Sequence, residues 1–207
     1  MKVSEACVVI SGGASGLGEA TARYFASQGA KVTLLDRDAE RGPSVAAEIG
    51  GYFVHTDVTD DKSVTDAVAS AVTQMGGINV AVNCAGIAVG IKTVGRDGPH
   101  PLDAFQRTID INLVGSFNLG RVAAAAMALN EPGPDNGRGV IINTASIAAF
   151  DGQKGQAAYA ASKGGIVGMT LPMARDLAST GIRVMTIAPG IFKTPMLAGL
   201  PEEVQAT

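Results

Sequence analysis

Three runs in this chain, Cys-Val-Val-Ile at 7–10, Val-Thr-Leu-Leu at 32–35 and Val-Ile-Ile-Asn at 140–143, are apolar without the alternation of a half-wet strand. A strand that keeps one face in water alternates polar and apolar residues, whereas a strand covered on both faces reads as a nearly continuous apolar run. Longer segments with apolar residues at helical spacing lie between these runs. The pattern predicts six strands, near 7–11, 32–35, 52–55, 80–82, 140–143 and 183–187. Helices are expected near 17–28, 63–75, 102–111, 116–130 and 159–180. Alternation of this kind specifies an α/β fold, a doubly wound and mostly parallel sheet between two helical layers. With 207 residues the chain suffices for one domain, 1–207. Two stretches, 90–101 and 131–139, hold too many turn-forming residues for regular structure and read as surface loops.

The first strand runs into Ser11-Gly12-Gly13-Ala14-Ser15-Gly16-Leu17-Gly18, and a helical pattern opens at Leu17. Glycines allow left-handed backbone angles and close approach of main chain to a ligand. A helix N-terminus behind them offers unpaired N–H groups and the positive end of the helix dipole, which suit a pyrophosphate. Gly12, Gly16 and Gly18 are therefore expected to cradle a dinucleotide.

Asp36 closes the second strand, where a carboxylate accepts hydrogen bonds from adenosine ribose hydroxyls and repels a 2′-phosphate. NAD is expected over NADP, with Arg37 as a neighbour able to soften that preference. Asp57 and Val58 follow the third strand in the same manner. They read either as contacts to the adenine or, for Asp57, as a plain helix cap before Asp60 and Asp61.

Tyr159 and Lys163 stand four residues apart in a helical segment and so share a face. A free tyrosine is a poor base near neutrality, but an adjacent ammonium and an oxidised nicotinamide favour its phenolate. Ser146 follows the fifth strand at the carboxyl edge of the sheet, where open α/β folds bind ligands, and its hydroxyl can hold a substrate carbonyl or alcohol.

The remaining composition excludes several classes of function. A net charge of −3, from 16 basic and 19 acidic residues, with no basic stripe interleaved with aromatics, argues against nucleic acid. Apolar runs fall short of the roughly 20 residues of a membrane span, and no secretory leader is visible, so a cytoplasmic protein is expected. Cys7 and Cys84 read as reduced core residues. Met169, Met173 and Met185 also read as core. His55 and His100 lack partners at ligand spacing, and no metal is expected.

Taken in order, SGGASGLG at 11–18, NCAG from Asn83 to Gly86, Asn112 in DINLVG, Ser146, YAASK at 159–163 and Pro189-Gly190 resemble the short-chain dehydrogenase/reductase family. The resemblance spans residues 6–200 and implies a Rossmann-type sheet. It implies that Tyr159 is the catalytic acid/base, that Lys163 tunes it and holds the nicotinamide ribose, and that Ser146 orients the reacting oxygen. Asn112 would hold a water joining Lys163 to solvent.

Ser15, Leu17, Asp36, Asp57, Val58, Asn83, Cys84, Ala85 and Gly86 would line the NAD site, with Pro189, Gly190, Phe192 and Thr194 closing over the nicotinamide. Cys84 departs from the Asn or other small residue usual in the wider family and reads as a lineage marker. Longer stretches, among them 81–90 and 156–178, resemble the members that oxidise 3-hydroxyacyl-CoA. The implied reaction is hydride transfer between NAD(H) and a secondary alcohol or ketone, with 3-hydroxyacyl-CoA and 3-ketoacyl-CoA as the leading pair. An NADPH-dependent 3-ketoacyl-carrier-protein reductase and a non-catalytic NAD-binding module are the alternatives. Members of the family also carry a further strand and a lid over the substrate, so a C-terminal portion is expected beyond residue 207. Small residues at 123–126 and 164–168 allow close helix approach, either within the monomer or, as the resemblance implies, between subunits, so a homodimer or homotetramer is expected.

Overall fold

The computed structural model describes residues 2–192 together with Thr194 and Pro195; the last five residues of the resemblance, 196–200, lie outside them. Six parallel strands form the central sheet: β1 (Cys7–Ser11), β2 (Lys31–Asp36), β3 (Tyr52–His55), β4 (Val80–Asn83), β7 (Gly139–Thr144) and β8 (Ile182–Ile187). Their order across the sheet is β3-β2-β1-β4-β7-β8, so the winding reverses between β1 and β4. Such a reversal opens a crevice at the carboxyl ends of the strands.

Strand residues divide by parity between two apolar layers. Val9, Leu35, Ala81, Ile141 and Val184 pack with α3 (Asp61–Met75) and α5 (Gly115–Met127), joined by Met173 of α6 (Ala157–Leu177). Val8, Ile10, Val32, Leu34, Val80 and Val140 pack on the other side against α1 (Gly16–Ser27) and α2 (Arg41–Glu48). The doubly wound α/β arrangement and its three layers agree with the apolar runs. Met173 is buried and Met169 packs against the core, but Met185 is 53% exposed, because it faces the side of β8 opposite to Val184 and α6.

Three local features were not foreseen. Helix α2 begins Arg41-Gly42-Pro43, which reads as a turn, yet a proline in the first helical turn gives up only an N–H that has no intrahelical partner. The loop 90–101 contains a two-residue antiparallel pair, β5 (Val94–Gly95) with β6 (Gly98–Pro99). Helix α4 (Leu102–Ile109) does not stop before α5, since one wider π-helical turn, Asp110–Val114, joins them. Of the small residues assigned to subunit contacts, Ala123 and Ala124 are buried within the monomer, and a Cβ on Gly165 would meet Leu113 at 2.6 Å. Gly168 has open space beside it.

Candidate active site

At the sheet's reversal point a cleft of about 440 Å³ runs along the carboxyl ends of the strands. Its first end is built by the turn from β1 to α1. Gly12 has φ +66° and Gly16 has φ +54°. A Cβ on Gly12 would lie 2.7 Å from the Ala85 nitrogen, and one on Gly18 would lie 2.0 Å from the Gly12 carbonyl oxygen. Main chain therefore presses on main chain, and only glycine fits at these two places. Ser15 caps α1 in an extended conformation without a side-chain cap bond, so the first N–H groups of the helix face the cleft beside Leu17. These features fit a dinucleotide pyrophosphate.

Asp36 is fixed at the lip of this end: one carboxylate oxygen accepts from the Ala14 N–H at 2.9 Å, the other from the Asp38 N–H at 3.0 Å. Arg37 does not turn toward Asp36 but toward Asp57, with 3.7 Å between Nε and Oδ2. Asp57 accepts from both the N–H and the hydroxyl of Thr59. Burial raises its pKa, but those Thr59 hydrogen bonds and Arg37 outweigh burial and hold the carboxyl below its ordinary value. The cap of α3 is Asp60, which accepts from the Ser63 N–H at 2.8 Å, so of the two readings of Asp57 the helix cap falls away. Asp57 and Val58 both line the cleft.

The second end gathers Ser146, Tyr159 and Lys163. Ser146 ends the segment after β7, which is clamped to the chain after β8: the Ala145 N–H donates to Ile187 O and the Ile147 N–H to Pro189 O. The Ser146 Oγ accepts from the Ala148 N–H at 3.2 Å, which leaves its own proton for the hydrogen bond it makes with Tyr159. Burial raises the Tyr159 pKa and the Ser146 bond lowers it, with a net upward shift. The Lys163 ammonium donates to Thr144 O at 2.7 Å and sits 5.7 Å from the Tyr159 ring centroid. Its burial depresses its own pKa to about 8.

Cys84 Sγ lies 3.6 Å from the Thr144 hydroxyl, and burial pushes the thiol upward, so it stays protonated and unreactive near neutrality. Ala85 and Gly86 line the cleft next to it. Asn83 lies one layer below: its Nδ2 donates to Ser116 O and Asn143 Oδ1, and it ties β4 to its neighbours without lining the cleft. Asn112 is likewise enclosed. Its Oδ1 accepts from the Ile87 N–H at 2.8 Å, and its Nδ2 donates to Ile87 O and to Ser162 Oγ. Gly86 lies between Asn112 and Lys163, since a Cβ there would be 3.2 Å from Asn112 Oδ1 and 3.9 Å from Lys163 Nζ. The π turn is what brings this asparagine inward.

Pro189, Gly190, Phe192 and Thr194 line the open side of the cleft, with Phe192 55% exposed. Sequence reasoning passed over Arg107, Ile111, Asp151, Gln153 and Gln156, all of which line the same cleft. The position of Gln156 one helical turn before Tyr159 was an available signal. Among the described residues no helix is long and apolar enough to cross a membrane, and no cluster of three or more acidic, His or Cys side chains could hold a metal ion.

Residues 6–205 match the model of the family described as short chain dehydrogenase. The 3-hydroxyacyl-CoA dehydrogenase type-2 of Drosophila melanogaster is 53% identical over 98% of this chain and 81% of its own length. The protein of that name from Homo sapiens is 57% identical over 95% of this chain and 77% of its own. A crystal structure of 3-hydroxyacyl-CoA dehydrogenase type-2 from Mycobacterium avium superposes with a TM-score of 0.89 at 45% identity, covering 95% of this chain and 78% of that one. The glycine cradle, the crevice at the strand reversal and these matches lead to one conclusion: the chain belongs to the short-chain dehydrogenase family, and it is an oxidoreductase that uses a nicotinamide cofactor on a small-molecule substrate.

Proposed function

We propose that this chain transfers hydride between NAD(H) and the 3-hydroxy or 3-keto carbon of an acyl-CoA. The observation that carries the reading is a single cleft with the Asp36 carboxylate at one end and Ser146, Tyr159 and Lys163 at the other. The relatives named for 3-hydroxyacyl-CoA dehydrogenation support the substrate class. Asp36 supports NAD, because a 2′-phosphate would face a carboxylate already held by two main-chain N–H groups. Arg37, paired with Asp57, is drawn away from offsetting that charge.

Bound at this site, NAD supplies the two-electron acceptor for the carbinol carbon. The protein's part is proton transfer and orientation. Ser146 and Tyr159 hold the substrate oxygen between their hydroxyls. The Tyr159 oxygen takes the alcohol proton during oxidation and returns it to the ketone in reverse. Thr144 O uses one of the three ammonium donors of Lys163, which leaves two for the ribose hydroxyls and the tyrosine side. Asn112 fixes the Ile87 main chain, and the free lone pair of its Oδ1 borders the space next to Lys163, where a water can accept the departing proton.

Reduction of acetoacetyl-CoA, followed by loss of NADH or NADPH absorbance, tests this reading. Turnover with NADH is expected to exceed that with NADPH by at least about tenfold in kcat/KM, the scale of one unfavourable charge contact. Absence of turnover with either cofactor, or a preference for NADPH, would overturn it.

A further inference from the structure

Four residues, Ala14, Asp36, Asp38 and Arg41, close a ring of hydrogen bonds beside the glycine turn. Asp36 Oδ2 accepts from the Ala14 N–H at 2.9 Å, and its Oδ1 accepts from the Asp38 N–H at 3.0 Å. Asp38 Oδ1 accepts in turn from the Arg41 main-chain N–H at 2.8 Å, where α2 begins. The Arg41 side chain then reaches back to the turn, and its Nε donates to Ala14 O at 2.5 Å. Ala14 is buried and gripped from both sides, its N–H by Asp36 and its carbonyl by Arg41. That carbonyl precedes Ser15, whose own carbonyl is the first acceptor of α1, so the helix supplies it with no donor.

The guanidinium is itself held. Its Nη2 donates to Glu19 Oε2 at 2.6 Å, while Glu19 Oε1 accepts from Arg23 Nε at 2.9 Å. Asp36 lines the cleft and Arg41 does not, so any effect of Arg41 on a nucleotide passes through Ala14 and Asp36. An ionised carboxylate has about four acceptor positions. The ring takes one on each oxygen of Asp36 and leaves one on each for the two hydroxyls of an adenosine ribose. A carboxylate fixed in this way cannot turn aside for a 2′-phosphate.

We infer that Arg41 is a positioning residue for nucleotide choice: by closing the ring it holds the Asp36 carboxylate where ribose hydroxyls are accepted and a 2′-phosphate is refused. The inference rests on the proposed preference for NAD and adds which residue enforces it from outside the cleft.

Titration of the wild type, Arg41→Met and Arg41→Gln with NADH and NADPH, read by fluorescence of the bound nicotinamide, tests it. Amide hydrogen exchange of the nucleotide-free proteins supplies a second readout. In the wild type the Kd for NADPH should exceed that for NADH by at least about tenfold. In both variants the Kd for NADH should rise about tenfold, the scale of one charge-assisted hydrogen bond, with that for NADPH changed by less than about twofold. The ratio of the two then falls toward one. Without nucleotide, the Ala14 amide should exchange at least about tenfold faster than in the wild type. Mere loss of a positive charge near Asp36 has the opposite sign, because the more negative NADPH would be weakened more than NADH.

A ratio that widens or stays fixed in either variant, or an Ala14 amide that exchanges at the wild-type rate, overturns the assignment and leaves the preference for NAD standing. Failure of both variants to fold, seen in thermal melts, also overturns it, since Arg41 would then serve the stability of the whole domain. A wild type that binds NADPH more tightly than NADH overturns the inference together with the reading beneath it.

Discussion

The ammonium of Lys163 donates to the carbonyl oxygen of Thr144 at 2.7 Å, which anchors it to the end of β7. The main-chain dipole there is a weak counter-charge, and burial dominates, so the lysine is driven to about 8. The protein's own groups do not prepare the tyrosine as a base, since burial leaves Tyr159 above its ordinary value. Positive charge from an oxidised nicotinamide is what would complete the expected tuning.

The depressed lysine makes stability depend on pH. Between about 8 and its ordinary value of 10.5 the unfolded chain holds a proton that the folded chain has released, so stability rises with pH in that window. Cys84 and Tyr159 act in the opposite sense, because burial raises both; with ordinary values of 9.0 and 10.0 the larger part of that loss comes above pH 9, and the part from Cys84 that begins below it is common to the wild type and a Lys163 variant. From pH 8 to 9 the Lys163 contribution to stability should therefore increase by about 1 kcal/mol, a gain of roughly 2–4 °C in Tm. Thermal melts of the wild type and Lys163→Met across this interval measure it as a difference. Equal slopes in the two proteins would rule it out.

Replacing Tyr159 by Phe removes the hydroxyl proposed to exchange a proton with the substrate while keeping the ring beside Lys163. Turnover should fall by about 10²–10⁴-fold, with the Kd for NADH within about twofold of wild type. Steady-state rates paired with a fluorescence titration check both halves. A variant that keeps even a tenth of wild-type activity would show that another group moves the proton.

At Gly18 an added methyl would sit 2.0 Å from the Gly12 carbonyl oxygen, a main-chain atom that cannot swing aside. Gly18→Ala should lower stability by about 1–3 kcal/mol through displacement of the turn. Because the same turn faces the cleft, affinity for NADH should drop by more than about tenfold. Urea midpoints and NADH titrations that match the wild type would contradict this.

The parts of the fold visible in the sequence are those set by local chemistry. Apolar runs such as Val8 to Ile10 located the strands, because burial on both faces leaves no polar alternation. The turn at 12–18 was legible because φ and contact distance there exclude every residue but glycine at two positions. Helix α2 was not, since Gly42 and Pro43 carry a turn signal that tertiary contact overrides: a Cβ on Gly42 would meet Phe53 Cε2 at 2.1 Å. Spacing likewise could not show that one π turn carries Asn112 inward, or that Arg37 pairs with Asp57 across two loops. Asn83 and Asn112 adjoin the cleft residues Cys84 and Ile111 in sequence, and only three-dimensional placement shows that both lie behind the wall.

The strand order also divides the labour of the cleft between two stretches of chain. The cleft residues that follow β1, β2 and β3, Asp36 among them, come from 12–58, and the Ser146 and Tyr159 hydroxyls and the Lys163 ammonium come from 144–163. Residues 84–88, after the central strand β4, are the stretch that borders both. Sequence drift in the first third of the protein can therefore change which nucleotide is held, and how long, without touching the proton path. Drift at Asp151 and Gln153, which line the cleft between the reacting serine and tyrosine, can change what is oxidised while residues 12–58 stay as they were.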